Sequence, residues 1–222
     1  MSEVIILSPE SEEIQYLCDK DKRIAKVINS IGTITYKPYE NAYSFLVQQI
    51  IGQMLGNKVA AKITERLVDL CGGEINPSAI TRLDDFEIRT TGMSMPKVQY
   101  IRNLTMEVES GHLQFETLSG KDDKQIIKDL TQIKGIGEWT SKMYLIFVLN
   151  RLDVLPHEDM AFLQAYSWLY KTDDLSKASV VKKCRKWKPY SSLAARYLYK
   201  ALDGGLTKEK FHLYKMPMPS IR

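Results

Sequence analysis

In the stretch LTQIKGIGEWTSK, residues 130–142, two glycines flank Ile136 between two amphipathic segments, and Trp139 follows two residues after the second glycine. Glycine lets the backbone approach a ligand with no Cβ in the way. The segment after Gly137 opens a helix, and the first N–H groups of a helix are unpaired and backed by the positive end of its dipole, which suits a phosphate oxygen. The amides of Gly135, Gly137 and Thr140 are therefore candidate phosphate donors. The same residues also make an ordinary turn between antiparallel helices, and the glycines alone do not decide between the two. Trp139 offers an aromatic face that either packs in the core or attracts a cation. A carboxylate, Asp159, stands 22 residues beyond Gly137, at the end of LPHED and at the expected start of another helix. On position alone it is an N-cap or a first-turn acid.

Composition limits what these residues can belong to. The chain has 222 residues, 44% hydrophobic and 26% charged, enough to bury one large or two small cores and too apolar for disorder. It has no apolar run of eighteen residues, and MSEVIILSPESEE is too short and acidic for a secretory signal, so an intracellular protein without a membrane span is expected. Cys18, Cys71 and Cys184 are odd in number and far apart, which argues against a disulfide framework or a CxxC metal site and leaves no set to ligate an iron-sulfur cluster. His112, His157 and His212 are equally scattered, so no zinc site and no required cofactor are indicated. The net charge is +4, but its distribution says more. Lys177, Lys182, Lys183, Arg185, Lys186, Lys188, Arg196 and Lys200 form a block without any acidic residue. Such a block reads either as a solvated face or as a surface that meets a polyanion.

Helical patterning runs through nearly the whole chain, with no repeat and no low-complexity linker. Ser8-Pro9-Glu10 predicts an N-cap and an acidic first turn for a helix running to about Asp19, and a second helix from about Lys22 is predicted to end at Gly32. TITYKPY is the one β-like stretch. NAYSFLVQQIIGQML predicts a buried helix, and Asn57 is placed to cap the next, on which Val59, Ile63, Leu67 and Leu70 recur at helical spacing until Gly72-Gly73. In PKVQYIRNLTMEVESG, the residues Val98, Ile101, Leu104 and Val108 share a face and Gly111 ends the helix. Asp122 is placed to cap DKQIIKDLTQI, and further helices follow from Glu138, from about Asp159 to Tyr170, and on either side of Pro189. The expectation is an all-α protein of roughly ten helices.

Taken together, the glycine hairpin and the spacing to Asp159 resemble the helix-hairpin-helix superfamily of DNA glycosylases, in its alkylbase branch, the 3-methyladenine DNA glycosylase II type. QQIIGQMLGNKVAAKITERL, TGMSMPKVQYIRNL and KWKPYSSLAARYLY carry the resemblance further, from about Tyr39 to Ala201. It implies two helical subdomains with the active site in the cleft between them. The expected division is 1–35, N-terminal helices that pack on the C-terminal subdomain; 36–140, a central subdomain holding the start of the helix-hairpin-helix (122–150); and 141–222, the Asp159 segment and the basic C-terminal helices. The chain is shorter at its start than the bacterial type, which has a β-rich domain there, and Tyr36 or Tyr39 could replace walls that domain supplies.

The resemblance assigns roles by position. Asp159 becomes the catalytic carboxylate, stabilising the positive sugar and directing water to C1′, while His157 and Glu158 are assigned to helix entry. Trp139, Tyr199 and Met143 become the base pocket, Met143 standing where the bacterial type often has tyrosine. Met54 becomes the wedge that fills the gap left by a flipped base, with Gln53 beside it. The main-chain carbonyls of Thr131, Ile133 and Ile136 match those that hold a monovalent cation against a DNA phosphate. The bifunctional branch carries a Schiff-base lysine where this chain has Trp139, so a monofunctional enzyme using water is implied. The expected partner is double-stranded DNA with alkylated bases such as 3-methyladenine or 7-methylguanine, met by a monomer in the cytoplasm of a prokaryote or the nucleus of a eukaryote. Two other readings stay open: a non-enzymatic DNA-binding module, and a glycosylase of the same fold for a deaminated or oxidised base.

Overall fold

A computed structural model describes residues 3–213. In chain order the elements are β1 (Ile5–Leu7), α1 (Glu12–Lys20), α2 (Lys22–Ile31), β2 (Ile34–Tyr36), α3 (Ala42–Gly52), α4 (Asn57–Leu70), α5 (Pro77–Arg82) and α6 (Asp85–Thr90). They continue with α7 (Met95–Glu109), α8 (Phe115–Leu118), α9 (Asp123–Thr131), α10 (Glu138–Phe147), α11 (Met160–Tyr170), α12 (Lys177–Cys184) and α13 (Ser191–Asp203). The protein is all-α apart from one antiparallel pair, in which Ile5 faces Tyr36 and Leu7 faces Ile34. β1 was not expected, because three apolar residues have no readable period and form a strand only through their partner. None of the described helices is long and apolar enough to cross a membrane.

Several helix ends follow from local chemistry. Asn41 accepts the Ser44 amide at 2.8 Å and opens α3; Asp122 accepts the Gln125 amide at 2.9 Å and opens α9. Gly32 ends α2 with φ 73°, where a side chain would be strained. Other ends differ from expectation. α1 starts at Glu12 behind Ser11, and Ser8 instead accepts the Ser11 amide at 3.0 Å in a turn before it. Asn57 is the first residue of α4 rather than its cap, which is Gly56. On α4 only Ile63 and Leu67 are buried; Val59 and Leu70 are exposed, so the apolar stripe is narrower than its spacing implied. The thirteen α-helices among the described residues exceed the expected ten, the short helices α6 and α8 being ones without a readable period.

The chain divides into two compact units, residues 1–38 with 150–222, and residues 39–149. The boundary expected between 140 and 141 falls inside α10, which stays with the central unit through Leu149. In the first unit α2 packs on α1, α11 and α13, and α11 packs on α13. Its core holds Ile14, Ile24, Phe162, Tyr166, Trp187 and Tyr197 among others. In the second unit α3 packs on α4, α7 and α10, α9 packs on α10, and α5 and α6 pack on α7.

Candidate active site

The hairpin lies in the central unit, between α9 and α10. Gly137 is the N-cap of α10, so Glu138, Trp139 and Thr140 form its first turn, and the first N–H to find a helical partner is that of Ser141, on the Gly137 carbonyl at 3.0 Å. Thr140 is buried as a whole, Gly135 is half-buried and Gly137 is exposed. Trp139 is half-buried at the second helical position, and Met143, one turn on, is buried within the unit. The Ile133 carbonyl accepts the Ile136 amide at 2.9 Å across the turn.

The two glycines exist for different reasons. Gly135 has φ 108°, and a Cβ there would lie 2.3 Å from Tyr100 Cγ and 2.4 Å from its Cβ. Gly137 has φ −102°, ordinary extended backbone, and a Cβ would meet nothing within 4 Å. The fold therefore requires glycine at 135 and not at 137, where glycine serves as the N-cap of α10 and leaves the backbone open. Gly135→Ala is expected to destabilise the protein by about 1–3 kcal/mol. Gly137→Ala is expected to cost under about 1 kcal/mol as a poorer cap yet weaken duplex DNA binding about tenfold through lost amide contact. Thermal melts and fluorescence-anisotropy titrations of both variants separate the two effects.

The segment before the hairpin in this unit ends on an unusual turn. Helix α3 stops at Gly52, Gln53 caps it, and Met54 adopts φ 57°, a left-handed conformation that costs a non-glycine residue roughly 1–2 kcal/mol. The Met54 side chain is fully exposed, at 102%. Gln53 Nε2 donates to the Gly135 carbonyl at 2.9 Å, tying this turn to the hairpin. Tyr39, half exposed in the same unit, leans on Phe45 with ring centroids 4.9 Å apart.

Asp159 lies in the first unit. It is the N-cap of α11, and its Oδ1 accepts the Phe162 amide at 2.7 Å. Tyr199 is buried beside the same carboxylate; burial, then the neighbouring Asp159 charge, pushes its phenol well above its ordinary range. The loop that delivers Asp159 is pinned to α13: Val154 donates to Ser192 Oγ at 2.9 Å, Ser192 to the Leu152 carbonyl at 2.9 Å, and Ser191 Oγ to Asp153 Oδ1 at 2.5 Å. Sequence reasoning missed Asp153, Ser191 and Ser192, whose roles depend on contacts 38 residues apart. His157 is buried, with Nδ1 2.5 Å from Glu158 Oε2 at the helix entry.

The basic block is not one solvated face. Lys182, Lys183, Arg185 and Lys186 line a cleft of about 660 Å³ with Ser179, and the Lys183 and Lys186 ammonium groups each sit 5.3 Å from the Tyr170 ring centroid. Lys188 pairs with Asp153 at 3.2 Å. Arg196 is buried, its guanidinium 3.7 Å from the Tyr36 ring centroid. Tyr36 donates to Asn150 Oδ1 at 3.0 Å. Cys18, Cys71 and Cys184 are free thiols, and burial pushes all three up.

This arrangement has close relatives. The chain is 31% identical over 204 residues to DNA-3-methyladenine glycosylase 1 of Schizosaccharomyces pombe, covering 89% of this chain and 90% of that protein. The crystal structure of a DNA-3-methyladenine glycosidase from Bacillus halodurans superposes with TM-score 0.81 at 34% identity, over 94% of this chain and 97% of that one. A Schizosaccharomyces pombe 3-methyladenine DNA glycosylase in complex with abasic DNA superposes with TM-score 0.78 at 27% identity, over 93% and 100%. Residues 47–189 match the family described as HhH-GPD superfamily base excision DNA repair protein, a span that takes in the Met54 turn, the glycine hairpin and Asp159, and the chain belongs to that superfamily.

Proposed function

We propose that this protein is a monofunctional DNA glycosylase of base excision repair that hydrolyses the N-glycosidic bond of alkylated purines such as 3-methyladenine and 7-methylguanine. The observation that carries the reading is Asp159, buried at the N-terminus of α11, held by the Phe162 amide and neighboured by Tyr199, in a chain of this superfamily. The names of the relatives, and the abasic DNA bound by one of them, support the substrate class.

The chemistry follows from the leaving group. An N-alkylated purine is cationic and departs readily, so the enzyme's task is to stabilise the positive sugar and guide water to C1′. An ionised Asp159 does this by electrostatics and general-base action. The cap bond from the Phe162 amide keeps it from reorganising as charge develops. Trp139 and Met143 serve as pocket walls, the indole face attracting the cationic base by roughly 0.5–2 kcal/mol. Tyr199 stands beside Asp159 in that residue's own unit.

Extruding the nucleotide costs a few kcal/mol of unstacking. Met54 is the wedge that holds the gap open, and Gln53 adds polar contact to the opposite strand. The amides of Gly135, Gly137 and Thr140 grip a phosphate of the lesion strand. The carbonyls of Thr131, Ile133 and Ile136 are the seat of a monovalent cation at the hairpin; they are hard oxygen donors, and Ile133 retains a second lone pair beside its bond to Ile136. That ion, when bound, would help hold the phosphate, and base release does not pass through it. The protein acts as a monomer, in whichever compartment holds the DNA.

Trp139 supplies no amine nucleophile, so the product is an abasic site in an unbroken strand. Incubation with methylated duplex, followed by denaturing electrophoresis with and without hot alkali, is expected to show breaks only after alkali. Borohydride added during the reaction is expected to trap no protein-DNA adduct; a trapped adduct would overturn the assignment of water as nucleophile.

A further inference from the structure

Helix α7 touches both of the turns assigned above to DNA, and does so from one face. Lys97 Nζ donates to the Ile51 carbonyl at 2.7 Å and to the Gln53 carbonyl at 2.7 Å, where α3 ends and the Met54 turn begins. One turn along α7, the Tyr100 ring fills the space a Cβ on Gly135 would need. One turn further, Asn103 Nδ2 donates to the Lys134 carbonyl at 3.2 Å. Spacing of three places the three side chains along a common stripe. Gln53 then closes the circuit from the far side, through its 2.9 Å bond to the Gly135 carbonyl.

A cation at a helix C-terminus commonly satisfies its last carbonyls. Here it does more, because the next residue, Met54, is left-handed and fully exposed, a state that persists only if its surroundings fix it. Lys97 is half-buried, and burial lowers its ammonium below the ordinary lysine range, so its placement is not a solvated accident. The ammonium of a single lysine thus holds the carbonyls of the residues on either side of Gly52.

We propose that α7 is a positioning element for base extrusion: Lys97, Tyr100 and Asn103 lock the Met54 turn and the Gly135 hairpin into one register. Wedge insertion and the phosphate grip then occur together, and Lys97 acts on catalysis through Met54. This rests on the wedge reading of Met54, and its test separates the two.

The experiment measures single-turnover release of one alkylated base from two duplexes, one with the lesion paired and one with it opposite an abasic site, where extrusion is cheap. Lys97→Met keeps the apolar stem and removes the ammonium. It is expected to slow release from the paired duplex at least tenfold while staying within about twofold of wild type on the unpaired lesion. Met54→Ala is expected to show the same selective loss, and Lys97→Met/Met54→Ala to lose no more than the worse single variant. Asn103→Leu is expected to lose selectively in the same direction, to a smaller extent. Equal losses by Lys97→Met on both duplexes would mark a merely structural lysine and overturn the proposal, as would additive losses in the double variant. If Met54→Ala itself leaves the paired lesion unaffected, the wedge reading falls first.

Discussion

Replacing Asp159 by asparagine is expected to lower single-turnover release of 3-methyladenine by at least about 10²-fold while duplex DNA binding stays within about twofold. The substitution isolates charge from structure. Asparagine is as good an N-cap as aspartate, so the bond from the Phe162 amide, 2.7 Å in the wild type, survives and α11 keeps its start. What disappears is the negative charge that faces the developing positive sugar and the base that takes a proton from water. Alanine would confuse the two roles by removing the cap as well, at about 1 kcal/mol. A variant that folds, binds duplex and retains full excision would show that Asp159 is only a cap. Rate and binding are read from the same preparation, by base release and by anisotropy.

The second large effect is on stability and belongs to Asp21. Its carboxylate is nearly sealed from solvent, at 3% exposed, and gathers donors from two distant parts of the chain and from the start of α2. Tyr170 donates its hydroxyl, Trp187 Nε1 approaches at 2.9 Å, Lys186 Nζ at 3.0 Å, and the Arg23 amide at 3.0 Å caps α2. Burial alone would raise the Asp21 carboxyl, but the bonds from Tyr170, Trp187, Lys186 and Arg23 together outweigh it, and the group sits below its ordinary value. Burial and the Asp21 charge push the Tyr170 phenol far up, so it stays protonated as donor. Asp21→Asn keeps the shape and removes the charge that pairs with Lys186, leaving two donors poorly matched. The expected loss is about 2–4 kcal/mol at neutral pH, read from denaturant melts.

The pH dependence has a definite sign. A carboxyl whose folded value is lowered stabilises the fold fully above its unfolded value, about 3.9, and this stability is lost as pH falls through the lower folded value. The wild-type advantage over Asp21→Asn is therefore expected to be constant from pH 7 to about 5 and to shrink below about pH 4. An advantage that grew in acid would contradict the assignment.

How far such features are legible in a sequence depends on how local their causes are. The cap at Asp122 and the stop at Gly32 are set within a few residues, and they read correctly. So does the hairpin, because glycines, helix start and Trp139 lie within one short stretch. Asp21 shows the opposite case. It lies between two readable helices, yet its meaning comes from Tyr170 and Trp187, 149 and 166 residues away. Lys97 looked like one polar residue on an amphipathic helix, and only the fold brings its ammonium to the end of α3. Val59 and Leu70 failed differently: spacing identifies a face but not how much of it a neighbour covers. Tyr199 was read for its ring, and the structure adds the Asp159 carboxylate beside it.

The account stands most directly on the base that leaves. Wild-type protein would be incubated under single-turnover conditions with matched duplexes carrying 3-methyladenine, 7-methylguanine, hypoxanthine, uracil or 8-oxoguanine, and the free bases separated by chromatography. The prediction is rapid release of 3-methyladenine, slower release of 7-methylguanine and at least about tenfold slower release of the other three, since only the methylated purines carry the positive charge that weakens the glycosidic bond and attracts Trp139. Binding to every duplex without release of either methylated base would contradict it.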